Sequence, residues 1–103
     1  MNSKIADIDG VLNSTEEINL FRIVQESFNN IIKHSGATTV NVDVRRDTEA
    51  IIITIADNGK GISSTAGFGI SGMQERAKMF AWNFAIESKQ GTQLTLRIPL
   101  KTE

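Results

Sequence analysis

Residues 40–56 read VNVDVRRDTEAIIITIA. Val40, Val42 and Val44 alternate with Asn41, Asp43 and Arg45, the period of two expected of a half-buried strand. RRDTEA is a polar turn, and residues 51–56 form a second run with a strong β-branched bias. The two runs read as a hairpin. Its apolar face needs a covering layer, so the fold depends on what the flanking sequence supplies.

Upstream, Phe21, Val24, Phe28, Ile31 and Ile32 recur at helical spacing, and Gly36 suits the position just past a helix end. Ser14 and Glu17 have capping-box spacing and mark the start. Residues 1–13 have weak periodicity and read as an arm or an edge strand. Downstream, DNGKGISSTAGFGISG (57–72) is glycine-rich and leads into a second helix, with Ser71 and Gln74 at capping-box spacing and Met73, Ala77 and Phe80 on one side. NFAIES (83–88) reads as a strand and KQG as a turn. In QLTLRIP (93–99), Leu94, Leu96 and Ile98 alternate with Gln93, Thr95 and Arg97. The order predicts one domain over 1–103, an α+β two-layer sandwich. Its mixed, mainly antiparallel sheet carries helices on one face.

Hydrophobic residues make up 40% and charged residues 22%, as in ordinary globular domains, and the net charge of −1 gives no basic footprint for nucleic acid. The chain has no cysteine and one histidine, which removes disulfides, thiolate metal sites and a His-based zinc site. No apolar run reaches the roughly 20 residues of a membrane span, and MNSKIADIDG lacks a signal-peptide pattern. A cytoplasmic domain is expected, whether or not a longer parent is anchored in a membrane.

On the first helix, Glu26, Asn30 and Lys33 fall within a sector of roughly 60° at 100° per residue. A solvated face is one reading. Against it stand Asn29 and Asn30, adjacent in mid-helix although the asparagine amide competes for backbone hydrogen bonds. The other reading is a site. A carboxylate can orient or deprotonate a water or hydroxyl, an amide oxygen one turn on can ligate Mg²⁺, and an ammonium can neutralise phosphate.

Gly67-Phe-Gly69-Ile-Ser-Gly72 matches the dinucleotide fingerprint, with Glu87 about twenty residues beyond the first glycine. The context fails, because such glycines follow a strand immediately, whereas Asp57 and Gly67 are well separated here. Another reading takes the whole segment. Asp57 at a strand end can accept from an exocyclic amine, which selects adenine over guanine, while Gly59 and Gly61 admit a flat base. Gly67, Gly69 and the helix start near Gly72 can hold phosphate oxygens. A plain Asn-Gly turn is the simpler alternative for residues 57–61.

Four motifs occur in order: E-x-x-x-N-x-x-K-H (Glu26–His34), D-N-G-K-G-I (Asp57–Ile62), G-F-G-I-x-G-M (Gly67–Met73) and G-T-x-L-x-L-x-I-P (Gly91–Pro99). Together they resemble the ATP-binding domain of sensor histidine kinases, within the superfamily shared with DNA gyrase, the heat-shock chaperone ATPase and the mismatch-repair ATPase. FRIVQESFNNIIKHSGA resembles the nitrate-sensor and desaturase-sensor kinases in particular. The resemblance implies a Bergerat-type fold, ATP and Mg²⁺ as cofactors, and transfer of the γ-phosphoryl to a histidine in two-component signalling. It implies Asn30 as metal ligand, Lys33 as phosphate contact, Asp57 as adenine reader and Gly59, Gly61 and Ile62 beside the base. Gly67, Gly69 and Gly72 match the lid, Met73 is a further nucleotide-binding position, Thr92 matches a hydroxyl near the adenine pocket, and Glu26 a catalytic or metal-supporting carboxylate. His34 either touches nucleotide or only favours the helix C-terminus when charged.

The sequence also departs from a whole kinase. The lid is short, and no His-Glu or His-Asp pair marks a phosphoacceptor, so the dimerisation and phosphoacceptor domain is expected to be separate. A response regulator is the expected downstream partner, and the isolated domain is expected to be monomeric. An anti-sigma-type serine kinase, or a nucleotide-binding module without catalysis, remains an alternative within the same superfamily.

Overall fold

The computed structural model describes residues 2–5, 10–31, 36–59, 70–89 and 91–100. In chain order the elements are β1 (Asn2–Ile5), α1 (Ser14–Asn30), β2 (Val40–Arg46), β3 (Ala50–Asp57), α2 (Ile70–Met79), β4 (Asn83–Lys89) and β5 (Gly91–Pro99).

The hairpin forms as its alternation predicts: β2 and β3 pair antiparallel, with Val44 opposite Ile53 and Val42 opposite Ile55. The turn is fastened by Asp47, whose Oδ1 accepts the N–H groups of Glu49 and Ala50 at 2.7 and 2.8 Å. β5 pairs antiparallel with the other side of β3, setting Ile51, Ile53 and Ile55 opposite Ile98, Leu96 and Leu94. β4 closes that side, and β1 joins β2 in parallel, so the sheet order is β1-β2-β3-β5-β4. The start of the chain is thus an edge strand.

Because side chains alternate along a strand, one register puts the whole apolar set on one face. Ile51, Ile53, Ile55, Leu94, Leu96 and Ile98 are buried there against Leu20 and Ile23 of α1 and Met73 and Ala77 of α2. Each such aliphatic side chain contributes about 1.5–3 kcal/mol when fully buried. Thr54, Thr95 and Arg97 alternate on the opposite face and are only half-buried. This is the expected α+β sandwich, with helices on one side of a mixed sheet.

Three local expectations change. The cap of α1 is Asn13, not Ser14: Asn13 Oδ1 accepts the Glu16 N–H at 2.8 Å, and Glu16 Oε1 accepts the Asn13 N–H at 3.0 Å. Asn13/Glu16 has the same spacing as Ser14/Glu17 and an equally good capping side chain; the earlier start leaves Leu12 free to bury. Second, the backbone of α2 is already helical at Ile70, one residue before the expected cap position at Ser71. Third, the buried line of α1 is Leu20, Ile23 and Ser27, with Phe21 64% exposed. That line is turned by about a quarter of the helix circumference from the Phe21/Val24/Phe28 stripe. The cause is α2, which lies beside α1 and draws Ser27 inward: its Oγ donates to the Ile23 carbonyl at 2.9 Å and to Met73 Sδ at 3.5 Å.

α2 ends in a Schellman motif. The Trp82 N–H donates to the Ala77 carbonyl at 2.8 Å and the Ala81 N–H to the Lys78 carbonyl at 3.1 Å, with Ala81 in the left-handed region at φ 58°. Phe80 and Trp82 stack behind it with centroids 4.8 Å apart.

Candidate nucleotide site

Asp57 is the last residue of β3, and the core register turns its side chain to the helix-covered face. It is a buried carboxylate, 9% exposed, with no ion-pair partner among the described residues. Its Oδ1 accepts the Gly59 N–H at 2.8 Å. A carboxylate has about four acceptor positions, so it can still receive a donor from a ligand.

Two neighbours hold it in place. Gly91 opens β5 at φ 107°, and a Cβ there would collide with the Asp57 carbonyl oxygen. Only glycine permits this approach. Thr92, the next residue, is half-buried and shares the face of Leu94, hence of Asp57. Asn58 ties the strand end to the segment leading into β2. Its Oδ1 accepts the N–H groups of Thr38 and Thr39, both at 2.9 Å, and its Nδ2 donates to Thr38 Oγ1 at 2.9 Å. Sequence reasoning treated Asn58 as half of a turn and passed over Gly91 as a site residue. The signal for Gly91 was its place directly before Thr92 in the fourth motif.

β2 begins at Val40, directly opposite Asp57 on β3. Glu26 and Asn30 are both half-buried, which argues against a merely solvated face. They border the Ile23–Ser27 line and do not oppose it. α2 runs antiparallel to α1: Met73 meets Ser27 near its start, and Arg76 Nη1 donates to Asn19 Oδ1 at 2.9 Å one turn on. Glu26 is thereby brought to Gly72 and Met73 in a cleft of about 260 Å³ that Arg22, Gln25 and Arg76 also line. Met73 itself is buried in the core. Lys33, His34, Gly61, Ile62, Gly67 and Gly69 lie outside the described residues.

Among the described residues no cluster of three or more His, Cys, Asp and Glu side chains could cage a metal. Asn30 offers an amide oxygen and Glu26 a carboxylate one turn away on α1. That set fits a hard cation that takes the rest of its shell from water and phosphate. No described helix is long and apolar enough to cross a membrane.

The chain also resembles known proteins. It is 33% identical over 91 residues to the signal transduction histidine-protein kinase/phosphatase UhpB of Salmonella typhimurium. It is 39% identical over 93 residues to DegS of Brevibacillus brevis, likewise a signal transduction histidine-protein kinase/phosphatase. These matches take in 85% and 84% of this chain but 18% and 24% of the relatives, so it spans about a fifth to a quarter of their length. The fold is shared with the blue-light activated histidine kinase of Erythrobacter litoralis EL346, at a TM-score of 0.79 and 18% identity over 96% of this chain and 34% of that one. It is shared too with the ATP-binding domain of PrrB from Mycobacterium tuberculosis, at a TM-score of 0.72 and 24% identity over 82% of this chain and 69% of that one. Residues 15–102 match the histidine kinase-, DNA gyrase B- and HSP90-like ATPase family, and with the sensor-kinase relatives this establishes that the chain belongs to it.

Proposed function

We propose that the chain binds Mg·ATP and presents its γ-phosphoryl to a histidine carried by a separate dimerisation and phosphoacceptor domain, within a sensor kinase of the nitrate-sensor and desaturase-sensor type. The observation that carries this reading is Asp57, a buried carboxylate with no ion pair among the described residues, on the helix-covered face at the end of β3. A carboxylate there is costly unless something donates to it. The exocyclic amine of adenine is such a donor, and the guanine carbonyl at the same position is not.

The remaining residues take roles set by their place. Gly59 orients Asp57 Oδ1, Gly91 lets β5 close against the strand end, and Thr92 offers a hydroxyl beside the base. Asn30 supplies the amide oxygen for Mg²⁺, which when bound would neutralise phosphate charge. Glu26, one turn nearer the α1 N-terminus, orients the incoming group or accepts its proton. Positioning and electrostatics do most of the work in phosphoryl transfer, which is compatible with the sparse set of side chains. The sequence resemblance assigns Lys33, His34 and the lid glycines to contacts with the nucleotide. A response regulator would receive the phosphoryl next.

Calorimetric titration tests the reading. Asp57→Asn should weaken Mg·ATP binding by about tenfold or more, one charge-assisted hydrogen bond being worth about 1.5–3 kcal/mol. Mg·ATP should also raise the melting temperature of the wild-type chain, since it binds only the native state. Equal affinity of the variant, or no thermal shift of the wild type, would remove the assignment.

A further inference from the structure

The cleft between α1 and α2 holds two guanidinium groups that the roles above leave unused. Asn19, Arg22, Glu26 and Asn30 fall on one stripe of α1, within a sector of about 80°. Arg76 reaches the same stripe from α2, held there by Asn19 Oδ1, while Asn19 Nδ2 donates to the Thr15 carbonyl at 2.8 Å. Arg22 forms no ion pair among the described residues, and neither arginine pairs with Glu26, although all three line one cleft. Arg22 and Glu26 stand i and i+4 with the base first, the weaker of the two orders on a helix. Two positive charges and one negative charge therefore line the cleft; Arg22 has no ion pair among the described residues, and Arg76, which commits Nη1 to Asn19, has further N–H donors for an incoming anion.

We propose that Arg22 and Arg76 clamp the terminal phosphoryl of the bound nucleotide, an inference that rests on the Mg·ATP reading above. Along the axis Arg22 lies about 12 Å from Asn30 at 1.5 Å per residue. A triphosphate running from Asn30 past Glu26 brings its far end within reach of an arginine side chain. Guanidinium suits this role because its planar fork meets phosphoryl oxygens two at a time. In the transfer itself, the lone pair of the acceptor imidazole nitrogen forms the P–N bond. The β–γ bridging oxygen keeps the electron pair of the broken P–O bond and leaves with ADP. The proton on the other ring nitrogen passes to solvent. The clamp holds the three equatorial oxygens throughout.

The test compares Mg²⁺ with ADP and Mg²⁺ with the non-hydrolysable β,γ-imido analogue of ATP, both titrated calorimetrically into the whole chain. Arg22→Ala should lower affinity for the imido analogue five- to twentyfold and leave ADP affinity within twofold. Arg22→Lys should recover only part of the loss. Arg76→Ala should do the same where its melting temperature shows it folded, and Arg76→Lys serves where it does not. Equal loss for both nucleotides, or none for either, overturns the clamp while leaving the nucleotide site intact. A wild-type chain that binds neither nucleotide overturns the clamp together with the reading beneath it.

Discussion

Replacing Gly91 by alanine probes the closest approach in the site. Two costs arise at that position and one gain offsets them. A side chain held at positive φ is strained by about 1–3 kcal/mol, and the new Cβ must displace the Asp57 carbonyl, an overpacking cost of about 1–3 kcal/mol. Loss of glycine freedom in the unfolded chain returns about 0.4–1 kcal/mol. The net expectation is a destabilisation of about 2–4 kcal/mol. For a domain of this size each kcal/mol lowers the melting temperature by about 4–8 °C, so a fall of roughly 8–30 °C is expected. Gly10 provides the control. It has φ 76° and nothing within 4 Å of where a Cβ would lie, so Gly10→Ala carries the backbone strain without the collision. Urea denaturation of both variants isolates the contact with Asp57 as their difference. If Gly91→Ala costs no more than Gly10→Ala, the sheet does not close on Asp57 as described.

Further outcomes are expected away from the ligand. Asn13→Ala removes the side-chain half of the capping box, leaving the bond from the backbone N–H of residue 13 to Glu16 Oε1, and should cost about 1 kcal/mol in urea denaturation. Ala81→Gly relieves a left-handed alanine in the Schellman motif and should stabilise by about 1 kcal/mol, read as a rise in melting temperature. Asp47 accepts N–H bonds from Glu49 and then Ala50, which hold its carboxyl below its usual range of 3.8. Its contribution is present above the unfolded value and lost as pH falls through the lower, folded one. Asp47→Asn should therefore flatten the acid limb of a stability–pH curve measured below pH 4.

The sheet was legible because its strands carry a clean period of two: Val40/Val42/Val44 and Leu94/Leu96/Ile98 each could face the core in only one way. The faces of α1 were not legible in the same way. Apolar residues surround much of that helix, and the line that buries was chosen by α2, through the contact of Ser27 with Met73 across 46 residues of sequence. Likewise Asn13/Glu16 and Ser14/Glu17 satisfy one spacing rule, and only the backbone entering the helix separates them. The motifs single out candidate site residues one by one, Asp57 and Asn30 among them. What the motif left out is what tertiary packing adds: the Asn58 strut, the collision that requires Gly91, and the arginines of the interhelical cleft.

The register of β3 bears on more than packing. A strand that slips by one residue exchanges its faces. Such a slip would turn Ile51, Ile53 and Ile55 toward solvent and carry Asp57 away from the helices with them. Three isoleucines and the carboxylate proposed to read the base thus obey one parity. Errors in assembling the site are rejected by the hydrophobic core before any ligand arrives, so the core proofreads the site. A chain that has buried its isoleucines has already aimed its aspartate.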